Sequence, residues 1–267
     1  MKNVLVPIHD DPGQESRLQA ALDLTRALDG HLTCIETITP PEALPEVYMA
    51  VGYDQLVAAE RTDADSNRAR VEARLSAEDV PWNCIEVVAH PAAAIQQAIG
   101  LADIVVLNRK LERFALPDWL KVTSETIIAS RKPVVAVPEE ARGFAAFGPA
   151  LIAWDGSVEA AAALRAAVPL LQKAANVTLL EIDDDHIGKR GEEAAAYLSR
   201  HGVHARLVRE PRAHSDSARL ILDRADASKA GYIVMGGFGR GRLREALFGG
   251  VTRTLLRSSR VPLVLVH

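Results

Sequence analysis

The sequence YIVMGGFGRGR at residues 232–242 passes from a short apolar run, typical of a strand, into a glycine-rich turn. Helix-forming residues follow at 243–248, then the pair Gly249-Gly250 and a second helical segment at 251–258. Glycine lacks a Cβ atom and lets backbone N–H groups approach a ligand closely, and a helix N-terminus favours negative charge. The stretch therefore predicts a strand–turn–helix phosphate site, with a flexible surface loop as the alternative.

Composition places the chain among folded globular proteins. Of its 267 residues, 48% are hydrophobic and 25% charged, and the length allows one large domain or two of ordinary size. The net charge of −4 argues against broad nucleic-acid binding. No apolar run is long enough to span a bilayer and the first residues lack a signal-peptide pattern, so we expect no membrane partner and a cytoplasmic protein.

Four segments recur in the same order along the chain, and this repetition indicates two copies of one unit. The corresponding pairs are 2–9 with 149–155, 87–92 with 207–212, 102–108 with 230–236, and 131–137 with 260–266. Between the copies, at 138–148, charged residues, glycine and proline replace the periodic pattern. The sequence predicts an N-terminal domain at 1–140 and a C-terminal domain at 148–267.

Strand-type runs alternate with helical ones in each copy, which favours right-handed β-α-β units and a parallel sheet. We predict an α/β protein of two tandem doubly wound, Rossmann-like domains, each a five-stranded parallel sheet with helices on both faces. The predicted strands are 4–7, 32–38, 84–89, 104–107, 134–137, 151–154, 177–182, 204–208, 232–235 and 263–266. The predicted helices are 15–28, 43–78 (mostly), 92–100, 121–129, 160–174, 192–201, 217–227 and 251–258.

The spacing Gly236-x-x-Gly239, nine residues, then Gly249 resembles the G-x-x-G-x9-G-[S/T] signature of ATP-binding universal stress proteins. The sequence departs from it at Gly250, where the family carries a hydroxyl residue. With the repeat, the chain is identified by resemblance as a tandem universal stress protein. The resemblance implies a cytoplasmic stress-response protein that binds ATP, with Mg²⁺ arriving through the phosphates, and last strands (134–137 and 263–266) that pair with each other.

The same resemblance implies which residues hold the nucleotide. They are Ala153, Asp155, Ile182, Met235, Gly236, Gly239, Arg240, Gly249, Gly250, Val251 and Thr252. Asp155 would bind the ribose hydroxyls, with helix capping as its alternative role. Ile182 lies where the family packs adenine, and a core position is its equal alternative. Thr252 would supply the missing hydroxyl or cap the helix. Arg240 and Arg242 would neutralise phosphates or lie solvated in the turn.

The first copy lacks these features. His9 stands in place of Asp155, and the charges of Asp10 and Asp11 that follow are expected to repel phosphate. Bulky side chains replace the glycines at 108–111 and 120–121, and Arg109, Lys110 and Arg113 suggest a solvated charged loop in preference to an anion site. We therefore expect one ATP site per chain, in the C-terminal half.

Other patterns favour structural roles. The acidic run at 183–186 is typical of a loop rather than a metal site, and His214-Ser215-Asp216 reads as a polar helix start rather than a catalytic triad. Cys34 and Cys84 are predicted to lie in adjacent strands as reduced thiols. We assign neither catalytic residues nor a protein metal site.

Three functions follow from these patterns. The first is a nucleotide-binding regulatory protein with at most slow ATP hydrolysis, acting through an unknown regulatory partner. The second is an enzyme that uses ATP to adenylate or phosphorylate a substrate. The third is an interaction scaffold without a ligand. The two copies are expected to form a pseudo-dimer within one chain, and a further homodimer remains open.

Overall fold

The computed structural model describes residues 1–39, 53–109, 118–183, 190–211, 216–239 and 250–267. The strands are β1 (Asn3–Ile8), β2 (His31–Ile38), β3 (Trp82–Val88), β4 (Ile104–Asn108), β5 (Val134–Val137), β6 (Ala150–Trp154), β7 (Val177–Asp183), β8 (Ala205–Pro211), β9 (Tyr232–Gly236) and β10 (Leu263–Val266). The helices are α1 (Gln14–Ala27), α2 (Tyr53–Leu75), α3 (Pro91–Ala98), α4 (Trp119–Ser130), α5 (Val158–Leu171), α6 (Arg190–Arg200), α7 (Ser217–Ala227) and α8 (Gly250–Ser258).

All ten strands form one sheet in the order β3-β2-β1-β4-β5-β10-β9-β6-β7-β8. Neighbouring strands are parallel within each half of the sheet, as expected when a helix connects them. β5 and β10 are buried along their whole length, which explains their uninterrupted apolar sequences. The predicted fold class, a doubly wound Rossmann-like α/β architecture, is confirmed.

The two halves join through β5 and β10, which pair antiparallel. Val135 lies opposite Val264, and these two residues occupy corresponding positions of the sequence repeat. The pairing therefore places a local twofold axis between Val135 and Val264. The predicted pairing of the last strands, 134–137 with 263–266, is confirmed.

Helices cover both faces of the sheet. One core cluster packs α1, α2, α5 and α6 against the first face, and the second cluster packs α3, α4, α7 and α8 against the other. Among the described residues, no helix combines the length and hydropathy needed to cross a bilayer.

The segment that joins the halves is packed into the protein. Phe144 is only 3% exposed, and its ring lies 4.8 Å from that of Tyr232 in the second half. The Phe144 N–H donates to the Asp23 carboxylate of the first half at 2.8 Å. Gly143 precedes it with φ +142°, a conformation that L side chains rarely adopt. The join thus contacts both halves.

Substitution of Gly143 by alanine should destabilise the chain. A Cβ atom there would lie 2.2 Å from Asp23 Oδ2, and the backbone conformation would be strained. We expect a loss of about 1–3 kcal/mol in the free energy of unfolding, measured by urea denaturation. Gly100→Ala is the matched control, because a Cβ there meets nothing within 4 Å. Equal stability of the two variants would show that the join is not fixed as described.

Candidate functional site

The end of β6 presents a carboxylate on a preformed turn. Asp155 is exposed, and its Oδ1 accepts the Ser157 N–H at 2.9 Å, with Gly156 between them at φ 72°. Ser157 in turn caps α5, because its hydroxyl accepts the Ala160 N–H at 3.0 Å. Ser157, and not Asp155, is therefore the cap. No described residue bonds the other carboxylate oxygen of Asp155.

The glycines that end β9 are required by contacts within the protein. A Cβ on Gly236 would lie 2.6 Å from the backbone nitrogen of Ala160, at the start of α5. A Cβ on Gly237 would lie 2.8 Å from Cγ2 of Ile127, which belongs to α4 of the first half. These two glycines let β9 approach two helices closely, a reason that the sequence motif did not reveal.

Gly239 has a different environment. It is exposed, and among the described residues the nearest atom to a Cβ there would be Glu159 Oε2 at 3.4 Å. Phe238 before it adopts φ 54°, and the Phe238 N–H donates to the Thr252 hydroxyl at 3.2 Å. Thr252, which is 5% exposed, therefore links the glycine turn to the first turn of α8.

Four of the predicted site residues, Ala153, Ile182, Met235 and Val251, lie on the same face of the sheet. Ala153, Ile182 and Val251 are partly buried and pack against the same core cluster, to which the buried Met235 belongs. Ala153 and Met235 are paired in register on β6 and β9. The structure thus brings together the ends of β6, β7 and β9 with the start of α8. The predicted Arg240 and Gly249, and also Arg242, lie outside the described residues.

α8 begins at Gly250, where the family signature has a hydroxyl residue. Gly250 is exposed, and a Cβ there would meet no atom of the described residues within 4 Å. The first backbone N–H groups of a helix have no partner within that helix, so this N-terminus can donate to an anion.

One acidic residue near the turn was missed by the sequence analysis. Glu159, in the first turn of α5, lies with its carboxylate beside Gly239. A carboxylate in the first turn of a helix interacts favourably with the helix dipole. The same negative charge would repel a phosphate bound at the glycine turn. The sequence could have indicated this residue, because Glu159 stands two residues after Ser157, at the predicted start of a helix.

The part of the chain that contains this site resembles a known protein family. The model of the universal stress protein family matches residues 146–267, the part of the chain that carries the glycine turn and Asp155. Residues 146–267 are a universal stress protein domain. No curated protein matched the sequence.

Solved structures extend the fold likeness over the whole chain. A universal stress protein from Archaeoglobus fulgidus is 16% identical, with a TM-score of 0.78, and the match covers 99% of this chain and 95% of that one. A candidate universal stress protein from Pseudomonas aeruginosa UCBPP-PA14 is 18% identical, with a TM-score of 0.58 and coverage of 99% and 92%. A functionally unknown protein from Pseudomonas aeruginosa PAO1 is 17% identical, with a TM-score of 0.57 and the same coverages, 99% and 92%. At these identities the likeness establishes the fold.

In the first half, side chains fill the space at the end of β4, where Asn108 stands in the place of Gly236. Arg17 of α1 is fully buried, and its guanidinium lies 4.5 Å from the centre of the Trp119 ring. Its hydrogen-bond acceptors are the carbonyl oxygens of Pro7 and His9 and the side chains of Asp11 and Asn108. Asn108 occupies the β4 position that Gly236 occupies in β9. In the universal stress protein domain, Ala161 is the fourth residue of α5, as Arg17 is of α1.

Three expectations about the first half need correction. Asp11 does not present a free repulsive charge, because Arg17 binds both of its oxygens inside the protein. Asp10 is exposed but forms an ion pair with Arg70 at 2.7 Å. Arg109 is not solvated: it is 7% exposed and donates to the carbonyl oxygens of Leu256 and Arg257 at the end of α8. Lys110 and Arg113 lie outside the described residues.

The remaining motifs have structural roles where the structure describes them. Cys34 and Cys84 lie side by side in β2 and β3 and are both free thiols. Asp216 caps α7 by accepting the Ala218 N–H at 3.1 Å, whereas His214, Ser215 and 184–186 lie outside the described residues. A cavity of about 380 Å³ between α7 and the end of α8 is lined by Arg219, Asp223 and Arg260 among others, away from the glycine turn.

The Arg17–Asp11 pair predicts a specific acid sensitivity. Burial by itself raises the pKa of Asp11, but the hydrogen bond with His9 and the charge of Arg17 outweigh it and lower the pKa from 3.8 to about 2. A carboxyl whose pKa is lower in the folded state stabilises the protein above pH 3.8, and that contribution disappears as the pH falls towards 2. The shift corresponds to about 2 kcal/mol.

Wild type should therefore lose about 2 kcal/mol more stability than Asp11→Asn between about pH 5 and pH 2, measured by urea unfolding. At neutral pH Asp11→Asn should be the less stable protein, because Arg17 loses its charged partner. Asp10→Asn, at an exposed site, should keep the wild-type acid dependence. A parallel acid loss in wild type and Asp11→Asn would contradict this assignment.

Proposed function

We propose that the universal stress protein domain binds ATP, with one site per chain at the ends of β6, β7 and β9 and the start of α8. The observation that carries the proposal is the contrast between the halves at one repeated position. The first half fills it with Arg17 and Asn108, whereas the second half has Ala161 and Gly236 there.

Two groups suit the two ends of a nucleotide. The exposed carboxylate of Asp155 keeps one oxygen unbonded by described residues, and a carboxylate accepts hydrogen bonds from the ribose diol. The exposed backbone at Gly239 and at the N-terminus of α8 supplies N–H donors for phosphates. Thr252, whose hydroxyl holds Phe238, positions the turn. Arg240 and Gly249 complete the proposed site, and Mg²⁺ is proposed to enter bound to the phosphates.

The proposed role is regulatory. We place the protein in the cytoplasm, acting in a stress response through a nucleotide-dependent contact with a protein partner. Among the described residues at the proposed site, Asp155 and Glu159 are the carboxylates, and neither is placed as a general base by a hydrogen bond to a nucleophile. We therefore propose at most slow ATP hydrolysis.

Calorimetric titration of the full chain with ATP and Mg²⁺ should give one site per chain. Gly239→Val should weaken binding by about tenfold or more, because a side chain would separate the turn backbone from the phosphates. The fold should survive, since the position is exposed and, of the described residues, Glu159 alone lies near it. Gly236→Ala is unsuitable for this test because it would clash with α5.

Gly250→Ser is the matched control for that experiment. It adds a side chain at the start of α8, where no described residue lies within 4 Å of the new Cβ, and restores the hydroxyl of the family signature. We expect it to bind ATP at least as tightly as wild type. Normal ATP binding by Gly239→Val, or two sites per chain, would overturn the assignment.

A second candidate function is an interaction domain that holds no nucleotide. Glu159 favours it, because its carboxylate lies beside the exposed Gly239 where phosphates are proposed to bind. The two candidates differ in what happens when this charge is removed.

If the site binds ATP, Glu159→Gln should tighten binding about fivefold, roughly 1 kcal/mol, because a like charge is removed near the phosphates. Glu125→Gln, at an exposed position of α4, should bind as wild type does. Binding by Glu159→Gln but not by wild type would favour the nucleotide-free candidate. Absence of binding in both would show that the domain is not a nucleotide site.

A further inference from the structure

The two halves differ in charge at one pair of positions that the sheet register makes equivalent, Glu36 with Glu86 and Glu181 with Arg209. In the second half, Glu181 of β7 lies in register with Arg209 of β8. Glu181 Oε2 accepts from Arg209 Nε at 2.9 Å, and Oε1 accepts the Gly191 N–H at 2.9 Å. Both oxygens of this mostly buried carboxylate are therefore satisfied.

The corresponding pair in the first half is two carboxylates. Glu36 of β2 lies in register with Glu86 of β3, so an acid replaces the arginine of the second half. Glu36 is 2% exposed, and its Oε1 has no hydrogen-bond partner among the described residues. Its other oxygen is 3.5 Å from Arg68 Nη1, a long contact. A buried carboxylate oxygen without a partner is costly, so this position calls for a positive group or a proton.

A third carboxylate comes from α2. One oxygen each from Glu36, Asp65 and Glu86 lie within 4.8 Å of one another. Asp65 and Glu86 are exposed, so solvent reaches the cluster from one side while Glu36 lies beneath. Among the described residues, Asp65 makes no ion pair.

The local charges leave a deficit of positive charge. Arg61 pairs with Glu86 at 2.6 Å, and Arg68 makes its shorter contact, 2.7 Å, with Glu72. Within the part of the chain that the structure describes, Arg61 and Arg68 are the two cations paired with the carboxylates Glu36, Glu72 and Glu86, and Asp65 adds a fourth carboxylate. Two negative charges are therefore left when all four are ionised. A divalent ion matches that balance.

We propose that Glu36, Asp65 and Glu86 bind a divalent cation of the hard, oxygen-preferring class, such as Mg²⁺, Mn²⁺ or Ca²⁺. Three carboxylate oxygens with water completing the shell is a coordination that these ions accept. The thiols of Cys34 and Cys84 lie on the same strands two residues earlier, outside the oxygen cluster. An ion that prefers sulfur would bind there instead.

The competing explanation is a proton on Glu36. Burial raises the pKa of Glu36, and Asp65 and Glu86 add to the increase while Arg68 opposes it. A protonated Glu36 would need no cation. The two explanations predict different behaviour towards added metal.

The test uses the full chain without nucleotide, so that its outcome is independent of the ATP proposal. Free Mn²⁺ is counted by electron paramagnetic resonance, and thermal unfolding is recorded with and without Mn²⁺. Wild type should bind one Mn²⁺ at this site and unfold at a higher temperature when it is present. Glu36→Gln should weaken that binding by at least about tenfold, because the buried ligand loses its charge.

Glu86→Arg reproduces the arrangement of the second half and keeps the test informative if Glu36→Gln folds poorly. It should fold at least as stably as metal-free wild type, because the arginine can pair with Glu36 as Arg209 pairs with Glu181. It should also lose the Mn²⁺-dependent rise in unfolding temperature. Asp63→Asn, at another exposed acid of α2, should bind Mn²⁺ as wild type does.

Equal Mn²⁺ binding by wild type, Glu36→Gln and Glu86→Arg would overturn the proposal. So would the absence of binding by wild type at millimolar Mn²⁺, which would favour the protonated Glu36. Loss of Mn²⁺ binding in Cys84→Ser but not in Glu36→Gln would place the ion at the thiols and would also overturn it.

Discussion

The antiparallel pairing of β5 with β10 is the contact on which the rest of the structure depends. Each half ends in a short apolar strand whose unpaired N–H and C=O groups would form an aggregation-prone edge if it stood alone. Pairing about Val135 and Val264 satisfies both edges at once and produces one sheet of ten strands. Because the strands of the two halves point in opposite directions, the carboxyl ends of the strands of one half lie at the opposite end of the sheet from those of the other half. The Arg17 network and the glycine turn therefore lie at opposite ends of the sheet.

The two halves share one fold but differ in the residues that lie outside its apolar core. Strand centres are apolar in both halves, but the strand ends and outer strands carry different chemistry. Arg17 and Asn108 close one strand end, whereas Ala161 and Gly236 stand at the corresponding place. On the outer strands, Glu86 stands where the other half has Arg209. Because the fold is repeated, each residue in one half can be compared with the residue at the equivalent position of the other half, where the backbone geometry is the same.

Periodicity in the sequence was sufficient to predict the strands and the alternating helices, because these depend on local apolar patterns. The pairing of the last strands was predicted from the family resemblance instead. The reasons behind individual residues were harder to predict. Gly237 is small because Ile127, far away in the chain, packs against it. Arg109 is buried because the last carbonyl groups of α8 lie beside β4. Such contacts join residues that are a hundred or more positions apart, and no local pattern reports them.

α8 connects the proposed nucleotide site to the first half. Its first turn is held by the hydrogen bond between Thr252 and Phe238, and its last carbonyl groups accept from Arg109. A cation at the carboxyl end of a helix and an anion at its amino end both interact favourably with the same dipole. Arg109 belongs to β4's end, beside Asn108, and so comes from the half whose own strand end is closed by Arg17. The first half consequently supports, through one buried guanidinium, the helix whose amino end faces the glycine turn.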